Sequence, residues 1–267
     1  MRSAAARLRS AACLVVVLLL VACAPADRPA QAGRVSTGET ETGTLRGELT
    51  VYAAASLHAA FDELARRFAA RHPEVRVRPP TYDGSSSLAT QIIEGAPADV
   101  FAAADESTMR RVADAGLAGP ATLFGANTLT LVVPPGNPAG VDGLDDLAAP
   151  GLTVVVCARD VPCGAASAAL LRQAGVAPEV DSFEQNVAAV LTKVAGGEAD
   201  AGLVYVTDAR TAPVDRIRVE GAESIVNRYP IVALTHAQDP LVADAFVRFV
   251  RSPAGREVLR ELGFGEP

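Results

Sequence analysis

From Leu49 onward, short apolar runs of strand character alternate with runs of helical periodicity, and this alternation constrains the chain more than any other feature. It predicts an α/β protein with mostly parallel sheets. The strand-like runs are 49–54, 75–79, 100–103, 128–133, 153–157, 202–206 and 231–234. Between the first two, Phe61, Leu64 and Phe68 recur at i, i+3 and i+7, so 56–71 reads as an amphipathic helix that Pro73 ends. Further helices are expected over 86–94, 106–115, 164–173, 187–195 and 241–250.

Two turn-rich breaks interrupt this rhythm: Pro134-Pro135-Gly136-Asn137-Pro138 and Arg228-Tyr229-Pro230-Ile231. Read as places where the chain passes between two bodies, they give one lobe from 48–127 plus 232–267 and an inserted second lobe from 128–231. A ligand cleft is expected between such lobes, at loops leaving the carboxyl ends of strands.

Those strand ends carry hydroxyls and helix starts. Tyr52-Ala53-Ala54-Ala55-Ser56 leaves a strand and puts Ser56 at an expected N-cap, and Asp83-Gly84-Ser85-Ser86-Ser87 opens the next helix. In the second lobe, Val161-Pro162-Cys163-Gly164 and Gln185-Asn186-Val187 each start a helix, and Gly202-Leu203-Val204-Tyr205 ends a strand in a phenol. These are neutral donors at several helix N-termini with no cluster of Arg or Lys, a pattern suited to an oxyanion because oriented amides and hydroxyls replace its hydration shell.

Taken in order, Ala53-Ala54-Ala55-Ser56-Leu57, Gly84-Ser85-Ser86 with Leu88-Ala89-Thr90-Gln91-Ile92, Gly95-Ala96-Pro97-Ala98-Asp99-Val100-Phe101, Val161-Pro162-Cys163-Gly164 and Gly202-Leu203-Val204-Tyr205 resemble the molybdate-binding proteins of ABC importers. The similarity runs from about Leu49 to Phe264. It implies a type II periplasmic-binding-protein fold, two α/β lobes closing on a molybdate or tungstate dianion, with no cofactor. It also implies that Ser56 and Ser85 donate from the first lobe, that Cys163 and Val187 donate backbone N–H groups, and that Tyr205 donates its hydroxyl. Cys163 stands where family members often have Ala in Val-Pro-Ala-Gly; the family's contact there is the backbone N–H. The implied partners are a permease and its ATPase, with the receptor itself a monomer.

The N-terminus gives an address. Arg2, Arg7 and Arg9 precede an apolar stretch from Ala11 to Val21, the anatomy of a secretory signal over 1–22 and too short to span a bilayer. Leu20-Val21-Ala22-Cys23 resembles the bacterial lipobox, which implies that Cys23 is acylated as the first mature residue and anchors the chain on the extracytoplasmic face of the cell membrane. Residues 23–47 are rich in Pro, Gly, Ser, Thr and charge without apolar periodicity and read as a flexible tether. Loss of a segment holding three Arg and no acid moves the net charge from −7 to −10, which disfavours nucleic acid as a partner. Of the four cysteines, Cys157 and Cys163 then remain in an oxidising compartment, which suggests one disulfide; the alternatives are a metal site or two buried free thiols. The only histidines, His58, His72 and His236, stand at no ligand spacing from these thiols.

An enzyme is the rival reading from another class, since a serine, a histidine and several acids are present. Ser56 and His58 are two apart at a helix start and do not face each other, and neither a Gly-x-Ser-x-Gly elbow nor a His-Glu-x-x-His motif occurs. Among anions, sulfate is the runner-up, since it shares molybdate's charge and shape. Phosphate requires an inward carboxylate to accept its proton, for which Asp83 and Asp208 lie near enough to the motifs. A lipid-anchored sensor or adhesion protein would lack a cleft closing on a small ion.

Overall fold

The computed structural model describes residues 44–267; the signal-like segment, Cys23 and most of the expected tether lie outside the described residues. In chain order the first part holds β1 (Gly47–Leu49), β2 (Val51–Ala54), α1 (His58–Arg71), β3 (Val75–Val77), β4 (Thr81–Asp83), α2 (Ser85–Ile93), β5 (Val100–Ala102), α3 (Glu106–Asp114) and β6 (Thr122–Asn127). Next come β7 (Leu129–Val133), β8 (Val154–Cys157), α4 (Pro162–Ala174), β9 (Ser182–Glu184), α5 (Val187–Ala195), β10 (Ala201–Tyr205) and β11 (Asp215–Ile217). The chain closes with β12 (Asn227–Ala233), α6 (Pro240–Val250) and α7 (Pro253–Glu261).

Two five-stranded sheets result, ordered β4-β2-β5-β12-β6 and β9-β8-β10-β7-β11. The two orders are equivalent, and each sheet has one antiparallel strand at the corresponding place: β12 runs against β5 and β6, and β7 against β10 and β11. These are the strands by which the chain enters each lobe from the other, so the expectation of mostly parallel sheets is met only by the βα units. The first crossing is a single residue, Thr128, between β6 and β7. The return crossing precedes Asn227, because β12 pairs throughout with first-lobe strands, so the division expected between 231 and 232 moves toward the N-terminus. Pro230 sits at a register shift of β12 against β6, a bulge inside the strand rather than a break between lobes.

The expected strand 49–54 is divided at Thr50, whose N–H donates to the Asp99 carboxylate at 2.7 Å. β1 consequently pairs with β3 outside the main sheet, while β2 lies between β4 and β5. Aromatic rings from α1 and α6 fill the first lobe, with Phe68 and Phe246 edge to face at 5.2 Å between centroids. The second lobe's core is mainly aliphatic: β7, β8 and β10 are buried along their whole lengths, without the polar alternation of a half-exposed strand, as strands covered on both faces are.

Candidate functional site

Where the lobes meet, one cavity is lined by Ser56, Ser85, Cys163, Val187 and Tyr205, the five positions singled out in the sequence. Ala54, Ala55, Gly84 and Ala104 complete the first-lobe wall; Val161, Pro162, Gln185 and Asn186 complete the second. The closed lobes leave it only about 10 Å³, roughly the space of one water molecule, which excludes any extended organic solute.

Three helices point their N-termini at it. Gly84 caps α2 and Val161 caps α4 without side-chain bonds, and Pro162 occupies the first turn of α4, where a missing N–H costs nothing. Asn186 caps α5 by accepting the Ala189 N–H at 3.0 Å. First-turn N–H groups have no acceptor within their own helix, so Ser85, Cys163 and Val187 bring free backbone donors and the positive ends of three dipoles to one place.

Ser56, Ser85 and Tyr205 bring three hydroxyls to the wall. Ser85 Oγ accepts the Ala104 N–H at 3.0 Å, which leaves its own proton free. Ser56 departs from the expected N-cap: it is the middle residue of a 3-10 turn, Ala55–Leu57, and α1 begins without a side-chain cap. Its Oγ lies 3.0 Å from the hydroxyl of Tyr229, a fully buried residue of β12, so a long-range hydroxyl contact takes the place of capping. Tyr205 is 1% exposed and its hydroxyl has no partner among the described residues. Burial, reinforced by Tyr229 and Asp208, pushes its phenol well above the ordinary range, so it stays a neutral donor.

Among the described residues no charged side chain lines the cavity. Asp83 and Asp208 are both outside its wall; Asp83 accepts the Gly84 N–H at 2.7 Å, and burial raises the Asp208 carboxyl to about 7. No histidine lines it either: His58 is largely exposed beside Asp62. Cys157 and Cys163 are joined, sulfur to sulfur at 2.07 Å, which straps the loop before α4.

Both lobes are shut on the cavity. Ser86 Oγ donates to the Asp160 carbonyl at 2.7 Å, and Asn186 Nδ2 donates to Asp83 Oδ1 at 2.9 Å, each bond crossing from one lobe to the other. Sequence reasoning named Asn186 only as a helix start and missed Tyr229, whose strand it began at Ile231; that strand, Asn227–Ala233, is buried continuously from Tyr229 to Val232.

Residues 49–265 match the family described as bacterial extracellular solute-binding protein. The molybdate-binding protein ModA of Mycobacterium tuberculosis is 42% identical over 259 residues, 95% of each chain. ModA of Escherichia coli is 29% identical, over 82% of this chain and 89% of that one. Among solved structures, the periplasmic molybdate-binding protein of Azotobacter vinelandii superposes with a TM-score of 0.70 at 22% identity, covering 82% of this chain and 99% of that one. The sulfate-binding protein SubI of M. tuberculosis gives the same TM-score of 0.70 at 20% identity, covering 82% and 86%. These last two likenesses show the shared two-lobed fold. With the family match and the ModA identity together, the chain belongs to the bacterial extracellular solute-binding proteins and, among them, to the ModA family of molybdate-binding proteins, which bind their solutes rather than transform them.

Proposed function

We propose that this chain is the lipid-anchored receptor that captures molybdate, and tungstate by the same geometry, outside the cell membrane and delivers it to an ABC permease driven by its ATPase. The observation that carries this reading is the wall of the cavity: hydroxyls and helix N-termini from both lobes, no charged side chain among the described residues, and no space for an extended solute. Ser56, Ser85 and Tyr205 donate hydroxyl protons, and the N–H groups of Cys163 and Val187 supply the second lobe's share. A dianion is held by fixed dipoles that water would otherwise provide, without a counter-charge that would slow release to the permease.

Capture involves no bond making. The open receptor admits the anion, the two crossings near Thr128 and Asn227 flex, and the closed form docks on the permease. The absence of a carboxylate from the described wall disfavours hydrogen phosphate, because its remaining proton finds no carboxylate to accept it. Sulfate is the second reading, favoured by the shared fold of a sulfate-binding protein. Residues 1–22 serve as the signal, and the chain from 23 to 44 as the tether that keeps the monomeric receptor near its permease through effective concentration; the expected tether end at 47 is shortened because Leu45 packs on the first lobe and Gly47 starts β1.

Calorimetric competition among molybdate, tungstate, sulfate and phosphate tests the ligand: molybdate and tungstate displace each other at one site, and a preference for sulfate overturns the reading. Intact-mass analysis of protein from membranes tests the anchor, with an acylated Cys23 expected and a chain that begins elsewhere refuting it.

A further inference from the structure

We propose that Asn186 is a positioning residue that couples anion capture to lobe closure, acting as a latch on Asp83 that exists only in the closed protein. The inference rests on the receptor reading above and adds to it which contact sets the lifetime of the closed state.

The Asn186 amide is used at both ends. Its Oδ1 accepts the Ala189 N–H at 3.0 Å and so caps α5, the helix that brings Val187 to the cavity. Its Nδ2 donates across the lobe boundary to Asp83 Oδ1 at 2.9 Å. The orientation of the amide is forced, since the backbone N–H can only donate and the carboxylate can only accept. Asp83 is fixed in turn: the same Oδ1 accepts the Gly84 N–H at 2.7 Å, at the entrance to α2, which brings Ser85 to the cavity. One side-chain amide therefore ties together the starts of two helices that line the site from opposite lobes.

Opening the lobes leaves the cap in place and returns Asp83 and Nδ2 to water. The latch thus contributes after encounter, when the lobes have shut, and its loss acts on release rather than on capture. A hydrogen bond to a half-buried carboxylate corresponds to an effect of about tenfold on the release rate.

The sign of the Asp83 effect separates a latch from simple electrostatics. Removing a negative charge near a bound dianion slows release if charge alone operates. Removing the latch's acceptor speeds it. The test is stopped-flow release and association with molybdate on the wild-type chain, Asn186→Ser, Asp83→Ala, Asp83→Asn and the Asn186→Ser/Asp83→Ala pair. Ser retains an N-cap oxygen without the amide donor, and Asn at position 83 retains the acceptor.

Asn186→Ser and Asp83→Ala are each expected to release about tenfold faster, the double variant no faster than either, and Asp83→Asn close to wild type, with association rates within about twofold throughout. Wild-type release from either single variant, slower release from Asp83→Ala, multiplicative effects in the pair, or an equal change in association overturns the latch. If the wild-type chain does not bind molybdate, the receptor reading fails by itself, and the same rates measured with tungstate or sulfate still decide the latch.

Discussion

A methyl group placed on Gly84 would stand 2.2 Å from the backbone carbonyl oxygen of Gln185, in the opposite lobe. Gly84 has φ −56° and ψ 133°, a conformation open to any residue, so glycine is needed here for space between the lobes rather than for backbone freedom. Gly84→Ala is therefore expected to fold normally and to close badly. Its melting temperature without ligand stays near wild type while molybdate affinity drops about tenfold or more, an overpacking effect confined to the closed state. Differential scanning calorimetry and titration calorimetry on one preparation check both halves.

Ser56→Ala combined with Ser85→Ala removes two hydroxyl donors from the cavity wall. On the proposed reading each donates to the bound anion, contributing about 1 to 3 kcal/mol, so the pair is expected to weaken molybdate binding at least about tenfold. Unchanged affinity in calorimetry would remove both serines from the site.

Tyr205→Phe separates stability from binding. The Tyr205 hydroxyl is buried without a partner among the described residues, so deleting it relieves an unsatisfied group and leaves the ligand-free protein at least as stable as wild type. The same deletion takes away one donor to the anion and lowers affinity. A loss of stability together with unchanged affinity would make Tyr205 a packing residue only.

Much of this site was legible because helix starts announce themselves locally. Ser85, Cys163 and Val187 follow strand-like runs and precede periodic apolar ones, a signal that survives without tertiary information. The three-residue strands β4, β9 and β11 were not legible, since hydrogen bonding to neighbours defines them and periodicity has no room to develop. Ser56 was misplaced as a cap because its partner, Tyr229, lies 173 residues away. The divided strand at Thr50 has the same origin, a bond to Asp99 that no local pattern encodes.

The Cys157–Cys163 bridge closes a short loop whose Asp160 carbonyl accepts from Ser86 of the other lobe. By loop length alone the crosslink contributes about 2 kcal/mol to folding. Reduction is expected to lower the melting temperature by several degrees and to weaken molybdate binding, because the strap fixes both the start of α4 and the Asp160 contact. Thiol alkylation of the native protein should label neither Cys157 nor Cys163; labelling of both refutes the bridge in solution.

Asp208 gives the protein a definite pH dependence. Its Oδ2 is buried without a partner, and burial raises the carboxyl to about 7. The folded chain then holds a proton that the unfolded chain, titrating in the ordinary carboxylate range, has already lost. Stability therefore falls as pH rises from about 4 to about 7 and levels off above, the opposite of a carboxylate held low by an ion pair. Asp208→Asn, which keeps the shape without the charge, is expected to melt like wild type at acidic pH and about 10 °C higher above neutrality. Binding follows the same course: a charged Asp208 lies beside Tyr205, whose phenol it already pushes up, so it opposes a dianion in the cavity, and wild-type affinity for molybdate declines through neutral pH while that of Asp208→Asn does not. Thermal melts and titration calorimetry of both proteins between acidic and mildly alkaline pH check the two slopes together, and parallel profiles for the two chains would mean that Asp208 does not titrate in this range.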